Sequence, residues 1–334
     1  MDSFPKKWIF FIYSLLFTIV FCSCDNKNDI DCIDYSIIPK SPYDSPIWHP
    51  SDTLIGFNHD PLTKVIHYQG IGNCPGTKQY RYDTAREGYW LINPDGSNMR
   101  RALSFMLITP SWSPDGKWIA FSLNAQIAIM PFNGKEFDAT SVRILTESGE
   151  NFNPTWSHDG KRIVYSQRVC NTTVECGVWI VDIESCQTKL IEYNSHAPYW
   201  YSNSDSLIFL SRNTDTGESV KLYCNDTLKT LYKIPSAFYD IQHLAAFKNL
   251  LSFMATKNDG NGYQLYTVNL YTHDFKQLTT DYCYNYSWSP NGKIVYINYG
   301  YYEVNETLGA LWIMDKYGDN KCQITKNVYE NIYN

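Results

Sequence analysis

Pro110-Ser111-Trp112-Ser113-Pro114-Asp115-Gly116-Lys117-Trp118-Ile119-Ala120-Phe121 is followed by a near copy of itself: Pro154-Thr155-Trp156-Ser157-His158-Asp159-Gly160-Lys161-Arg162-Ile163-Val164-Tyr165. A third copy reads Tyr286-Ser287-Trp288-Ser289-Pro290-Asn291-Gly292-Lys293-Ile294-Val295-Tyr296, and weaker ones open at Pro46-Ile47-Trp48-His49-Pro50 and Pro198-Tyr199-Trp200-Tyr201-Ser202. Trp112, Trp156, Trp200 and Trp288 are separated by 44, 44 and 88 residues. The doubled interval predicts a copy near 244, where His243-Leu244-Ala245-Ala246-Phe247 stands without a Trp. Trp48 precedes Trp112 by 64, so the first copy carries about 20 inserted residues. The chain therefore contains six repeats.

Each repeat reads as four short strands. The Trp closes the first; Pro-Asp-Gly makes a tight turn, because Pro sets φ and Gly accepts positive φ. Trp118 to Phe121 then alternates as a second strand. Third strands follow as Gly88-Tyr89-Trp90-Leu91-Ile92, Gly177-Val178-Trp179-Ile180-Val181 and Ala310-Leu311-Trp312-Ile313-Met314, and short fourth strands at 143–146, 276–279 and 323–325. A four-stranded sheet cannot cover both its faces, whereas six of them packed around a ring can. The expected fold is all-β, a six-bladed β-propeller of four-stranded antiparallel blades. A single domain over 35–334 holds blades that start near 46, 110, 154, 198, 242 and 286. The repeated Trp reads as an inter-blade packing residue. Tyr35-Ser36-Ile37-Ile38 is expected to join the last blade as its outer strand, with 323–325 as the rival for that place.

The Pro-x-Trp-Ser-Pro-Asp-Gly-Lys block, followed by an aromatic-rich third strand, resembles the WD40-like (PD40) repeat of TolB-type β-propellers in their bacterial lipoprotein form. The resemblance covers residues 45–326 and is carried best by repeats two, three and six. It implies the fold but little about activity, because such propellers include protein-binding subunits, peptidase propeller domains and sugar-acting lyases.

The N-terminus reads as an address. Lys6 and Lys7 precede an apolar stretch from Trp8 to Phe21, too short for a permanent span of about 20 residues and right for a signal peptide. Ser23-Cys24 at its end resembles a lipobox. By that resemblance residues 1–23 are removed, Cys24 is lipidated and holds the bilayer, and 24–34 form a linker. Asp25 matches an inner-membrane retention code, while Lys27-Asn28-Asp29 resembles a surface-export tag. The expected location is the outer membrane, on its periplasmic or its surface face. Ten cysteines suit an oxidising compartment, and Cys170 with Cys176 is the one pair close enough locally to suggest a disulfide. No Cys/His spacing suggests zinc. A net charge of −6 without a basic stripe argues against nucleic acid as a partner.

In a propeller the loops from fourth to first strands and from second to third strands share one face, with the Pro-Asp-Gly turns on the other. Here the first face carries nearly all the loop length: 58–87, the Cys170–Cys176 loop, 212–219, 257–262 and 298–309. Long loops on a rigid scaffold are where binding is usually found. The candidate ligand rim is Tyr43, Asp44, Asn153, His196, Asp240, His243, Tyr284 and Asn285, with Tyr301 and Tyr302 from the last blade. Aromatic rings beside amides and carboxylates suit a glycan or an extended peptide. No nucleophile elbow, HExxH or phosphate-cradling Gly loop is present. The reading is a non-catalytic envelope lipoprotein with no cofactor and no metal, binding a protein or glycan partner on the long-loop face. One alternative is a carbohydrate-active enzyme, lyase-like, with a channel metal on His196, His243 and Asp240 or Asp44. Another is a TolB-like docking subunit of an envelope complex.

Overall fold

Six four-stranded antiparallel sheets follow one another along the chain, each built from a contiguous stretch and each with its strands in sequence order. The computed structural model describes residues 41–68, 77–168, 176–201, 205–213, 217–257, 262–298 and 309–326. The blades span 43–103, 108–144, 151–193, 195–233, 238–277 and 283–323. First strands of neighbouring blades abut one another, which places them innermost around the axis. The first repeat's extra length includes a hairpin, Leu62–Tyr68 with Thr77–Tyr82, between the second and third strands of blade one.

The turn chemistry repeats with the sequence. Ser113 Oγ donates to Asp115 Oδ1 at 2.6 Å and accepts from Trp118 N at 2.9 Å, while Gly116 N returns to Ser113 O at 2.9 Å. Ser157, Asp159, Gly160 and Arg162 repeat these bonds at 2.6, 2.9 and 2.9 Å. Gly116, Gly160 and Gly292 have φ of 70°, 69° and 82°, the left-handed conformation that the turn requires.

No blade has a core of its own; the hydrophobic clusters lie between blades. Trp112, Ile119, Phe121 and Met130 of blade two pack with Tyr89 and Leu91 of blade one, and Trp200, Leu207 and Phe209 of blade four with Val164 and Val178 of blade three. Tyr43, Ile55 and Phe57 meet Val295, Ile297 and Leu311, which closes the ring between blades one and six. The tryptophans are rotationally equivalent: Trp156 Nε1 donates to Ser111 O at 3.0 Å and Trp200 Nε1 to Thr155 O at 3.1 Å, in each case the residue before the previous blade's Trp. Blade five has no Trp, and there Trp288 Nε1 turns to Ser252 Oγ at 2.7 Å while its ring stacks on Phe247.

The outermost strand of blade six is Cys322–Gln323, hydrogen-bonded to Ala310–Asp315. The C-terminal segment thus holds the place expected for 35–38, which lie outside the described residues. The physical reason is continuity: the six-residue turn-back over 316–321 from the third strand costs less loop entropy than recruiting a strand from the other end of the chain. The seam is secured by side chains instead. Asn285 Nδ2 donates to Asp44 Oδ1 at 2.6 Å, and Ser41 Oγ to Gly309 O at 2.8 Å.

Candidate functional site

Every first strand is broken near its start by a bulge whose central residue has positive φ. These are Ser45 (50°), Thr109 (48°), Asn153 (54°), Ala197 (50°), Asp240 (49°) and Asn285 (56°), with His243 (51°) as a second break in blade five. The pairing register slips at each of them. A bulge re-aims the side chain beside it and bends the strand, so the break sets what the mouth of the ring displays on the long-loop face.

The expected rim residues divide at this break. Tyr43 is core: its ring stacks on His59 at 4.6 Å and meets Phe57 edge-on, and burial pushes its hydroxyl up to about 12. Asn285 is buried in its bond to Asp44 across the blade six–one seam. Asn153 is half-buried and its backbone N–H donates to Thr109 Oγ1 at 3.1 Å. Asp240 is exposed and takes hydrogen bonds from the Tyr263 hydroxyl and from Gln242 Nε2, the latter at 3.1 Å. Tyr284 is 40% exposed and lies parallel to Tyr282, with centroids 6.5 Å apart. Tyr301, Tyr302, Cys170 and Cys24 lie outside the described residues; Cys176 is disulfide-bonded.

His196 and His243 sit in adjacent blades, as expected, but each is tied into the fold. His196 Nε2 donates to Ile241 O at 3.4 Å, and burial lowers its pKa against the opposing pull of Glu218. Burial, helped by the Arg168 charge, takes His243 down to about 4. Among the described residues no three His, Cys, Asp or Glu side chains converge closely enough to hold a metal ion. The carboxylates that would complete such a site are engaged elsewhere, Asp44 with Asn285 and Asp240 with Tyr263 and Gln242.

Four large apolar residues at the mouth escaped the reading by rim position. Phe105 and Met106 in the link from blade one to blade two and Ile108 at the start of blade two are 40%, 38% and 43% exposed, and Tyr239 of blade five is 48% exposed. The run Leu103-Ser104-Phe105-Met106-Leu107-Ile108 carried the signal, since an apolar stretch in a connection has no packing duty from strand periodicity. Leu103 and Leu107 are buried, and the side chains between and after them face water. Around His196, on the same face, the Arg168 guanidinium lies 5.3 Å from the Phe152 ring centroid, and Arg212 pairs with Glu218 at 2.7 Å.

No family model matches the chain, and no curated protein matches it in sequence. Solved structures do match. TolB from Acinetobacter baumannii superposes with a TM-score of 0.56 at 21% identity over 72% of this chain and 60% of that one. A putative TolB from Agrobacterium tumefaciens gives 0.56 at 14% identity over 69% and 84%. An oligogalacturonate lyase in complex with manganese reaches 0.49 at 11% identity over 84% and 76%. This chain thus spans less than two thirds of the length of the first of these. At such identities the likeness is one of fold: the six-bladed ring described above is similar to the propellers of TolB.

Proposed function

We propose that this protein is a non-catalytic docking module of the cell envelope, whose long-loop face receives a protein partner. The observation that carries the reading is the display to water of Phe105, Met106 and Ile108 within one short run, with Tyr239, Asp240 and Tyr284 exposed on the same face of the ring. Monomeric proteins seldom leave a contiguous apolar run such as 105–108 in solvent unless the surface is used. Interfaces characteristically combine aromatic and Met side chains at their centre with a polar rim. A glycan partner on this face is less favoured, since Met106 and Ile108 offer neither a stacking ring nor a hydrogen bond. We further propose that Cys24 carries lipid and tethers the propeller to the outer membrane.

In vivo cross-linking from a photoreactive residue placed at 106 tests the docking. A discrete adduct is expected, lost in the double variant Phe105→Ser/Tyr284→Ser. An adduct that persists in that variant would place the contact elsewhere. Replacement of Cys24 by Ser should abolish palmitate labelling and release the protein from membranes; labelling that persists removes the anchor.

A further inference from the structure

On the opposite face, a cleft of about 430 Å³ opens between blades three and four. Its floor is Ile180, Trp200 and Leu207, with the last two buried. Each wall carries an ion pair. Arg162 pairs with Asp205, and its guanidinium lies 5.1 Å from the Trp200 ring centroid. Lys189 Nζ reaches Asp226 Oδ1 at 2.8 Å and Tyr223 OH at 3.1 Å, and Tyr223 donates to the same Oδ1 at 2.5 Å.

The unspent groups are what decide the ligand. Both cations already have a carboxylate, so an anion finds no unpaired positive charge. Asp205 and Asp226 use only Oδ1 in their pairs. The carboxamides of Gln187 and Asn225, also in the lining, make no hydrogen bond with the protein among the described residues. Asp182, also in the lining, likewise takes its bonds from Ser185 on Oδ1. What converges on the cleft is therefore three carboxylate oxygens that accept and two amides that both donate and accept, over an apolar floor.

We propose that this cleft binds a neutral sugar residue, alone or as a unit of an oligosaccharide. Sugar hydroxyls donate to Asp182, Asp205 and Asp226 and exchange hydrogen bonds with Gln187 and Asn225, while the C–H face of the ring rests toward Ile180, the partly exposed member of the floor. The volume lies within the usual range for small-ligand pockets. The site is on the face away from the docking mouth and stands independently of the docking reading.

The test is saturation-transfer NMR on the full-length chain in detergent with glucose, galactose, mannose, N-acetylglucosamine and their oligomers, followed by calorimetry on any binder. At least one neutral sugar should receive saturation. Gln187→Ala/Asn225→Gly, which removes both carboxamides and keeps the positive φ of 49° that residue 225 needs in its turn, should weaken it about tenfold or more with the melting temperature little changed. Tyr284→Ser at the other face should leave the affinity intact. Saturation of none of these sugars at millimolar concentration overturns the proposal. So does binding that the double variant retains, or binding lost only through Tyr284→Ser.

Discussion

Trp112 and Trp156 occupy the same place in consecutive repeats and are equally buried, yet their indoles are not equally satisfied. Trp156 Nε1 donates to Ser111 O, while Trp112 Nε1 has no partner among the described residues. Replacing each by Phe removes similar apolar area, so the difference between them isolates the hydrogen bond. Trp156→Phe should destabilise by about 1 kcal/mol more than Trp112→Phe in urea melts. Histidines supply a second consequence. His59 is held neutral by burial, with its pKa taken down to about 4, while the unfolded chain takes that proton near 6.5. Between those values the unfolded state binds more protons. Stability is therefore full above pH 6.5 and falls as the pH drops toward 4, by on the order of 3 kcal/mol for this residue. His243, also near 4, adds a loss of the same sign over the same window. Melts between pH 7 and 4.5 should show the decline, and His59→Gln should start lower but lose less over that window.

At the scale of the strand and turn, the Gly of each Pro-Asp-Gly or His-Asp-Gly turn has positive φ, but its neighbours differ. A Cβ on Gly116 would lie 2.4 Å from the His49 ring of blade one, whose Nε2 donates to Gly116 O at 3.0 Å. A Cβ on Gly160 would meet nothing closer than Pro114 Cδ at 4.0 Å. Gly160→Ala should therefore cost only the backbone strain, about 1 kcal/mol. Gly116→Ala should cost about 2–3 kcal/mol, because it also pushes His49 out of its inter-blade bond. Equal costs would mean that the His49 contact contributes nothing. The bulges of the first strands are a different kind of local feature. They recur in every blade whether the residue is Ser, Thr, Asn, Ala or Asp, so the ring imposes them and the local sequence only tolerates them.

For the whole molecule, the clusters between blades make the ring interdependent. Each sheet buries its faces only against its neighbours, and the blade one–six cluster has no substitute if either blade is missing. A chain ending at residue 282 should lose protection from protease throughout, not merely near the cut, because it uncovers apolar faces of both blade one and blade five. Protection that survived in blades two to four would show that the blades stand as separate units. Ring closure through packing and the Asn285–Asp44 bond, without a described shared strand, also predicts that Asn285→Ala lowers the unfolding midpoint while leaving the secondary structure in circular dichroism unchanged.

The 44-residue period, the Ser–Asp–Gly turns and the blade count were all legible in the order of residues. They rest on local chemistry: a turn needs its Gly and its Asp within four positions, and a strand shows its alternation to anyone who counts. Which residues reach the mouth was a tertiary decision. Tyr43 stands two residues before its blade's bulge and Tyr284 one, so the register of the bulge, which spacing from the Trp did not show, puts them on opposite sides of the strand: the one is sealed against His59 and the other faces water. The bulge, the seam between blades one and six and the side chain across that seam decide between them, and those are set by closure of the circle. The cleft under Gln187 and Asn225 was illegible for the same reason, since it is assembled from two blades and depends on which charges find each other across the gap. Period and turn belong to the chain; exposure and pairing belong to the ring.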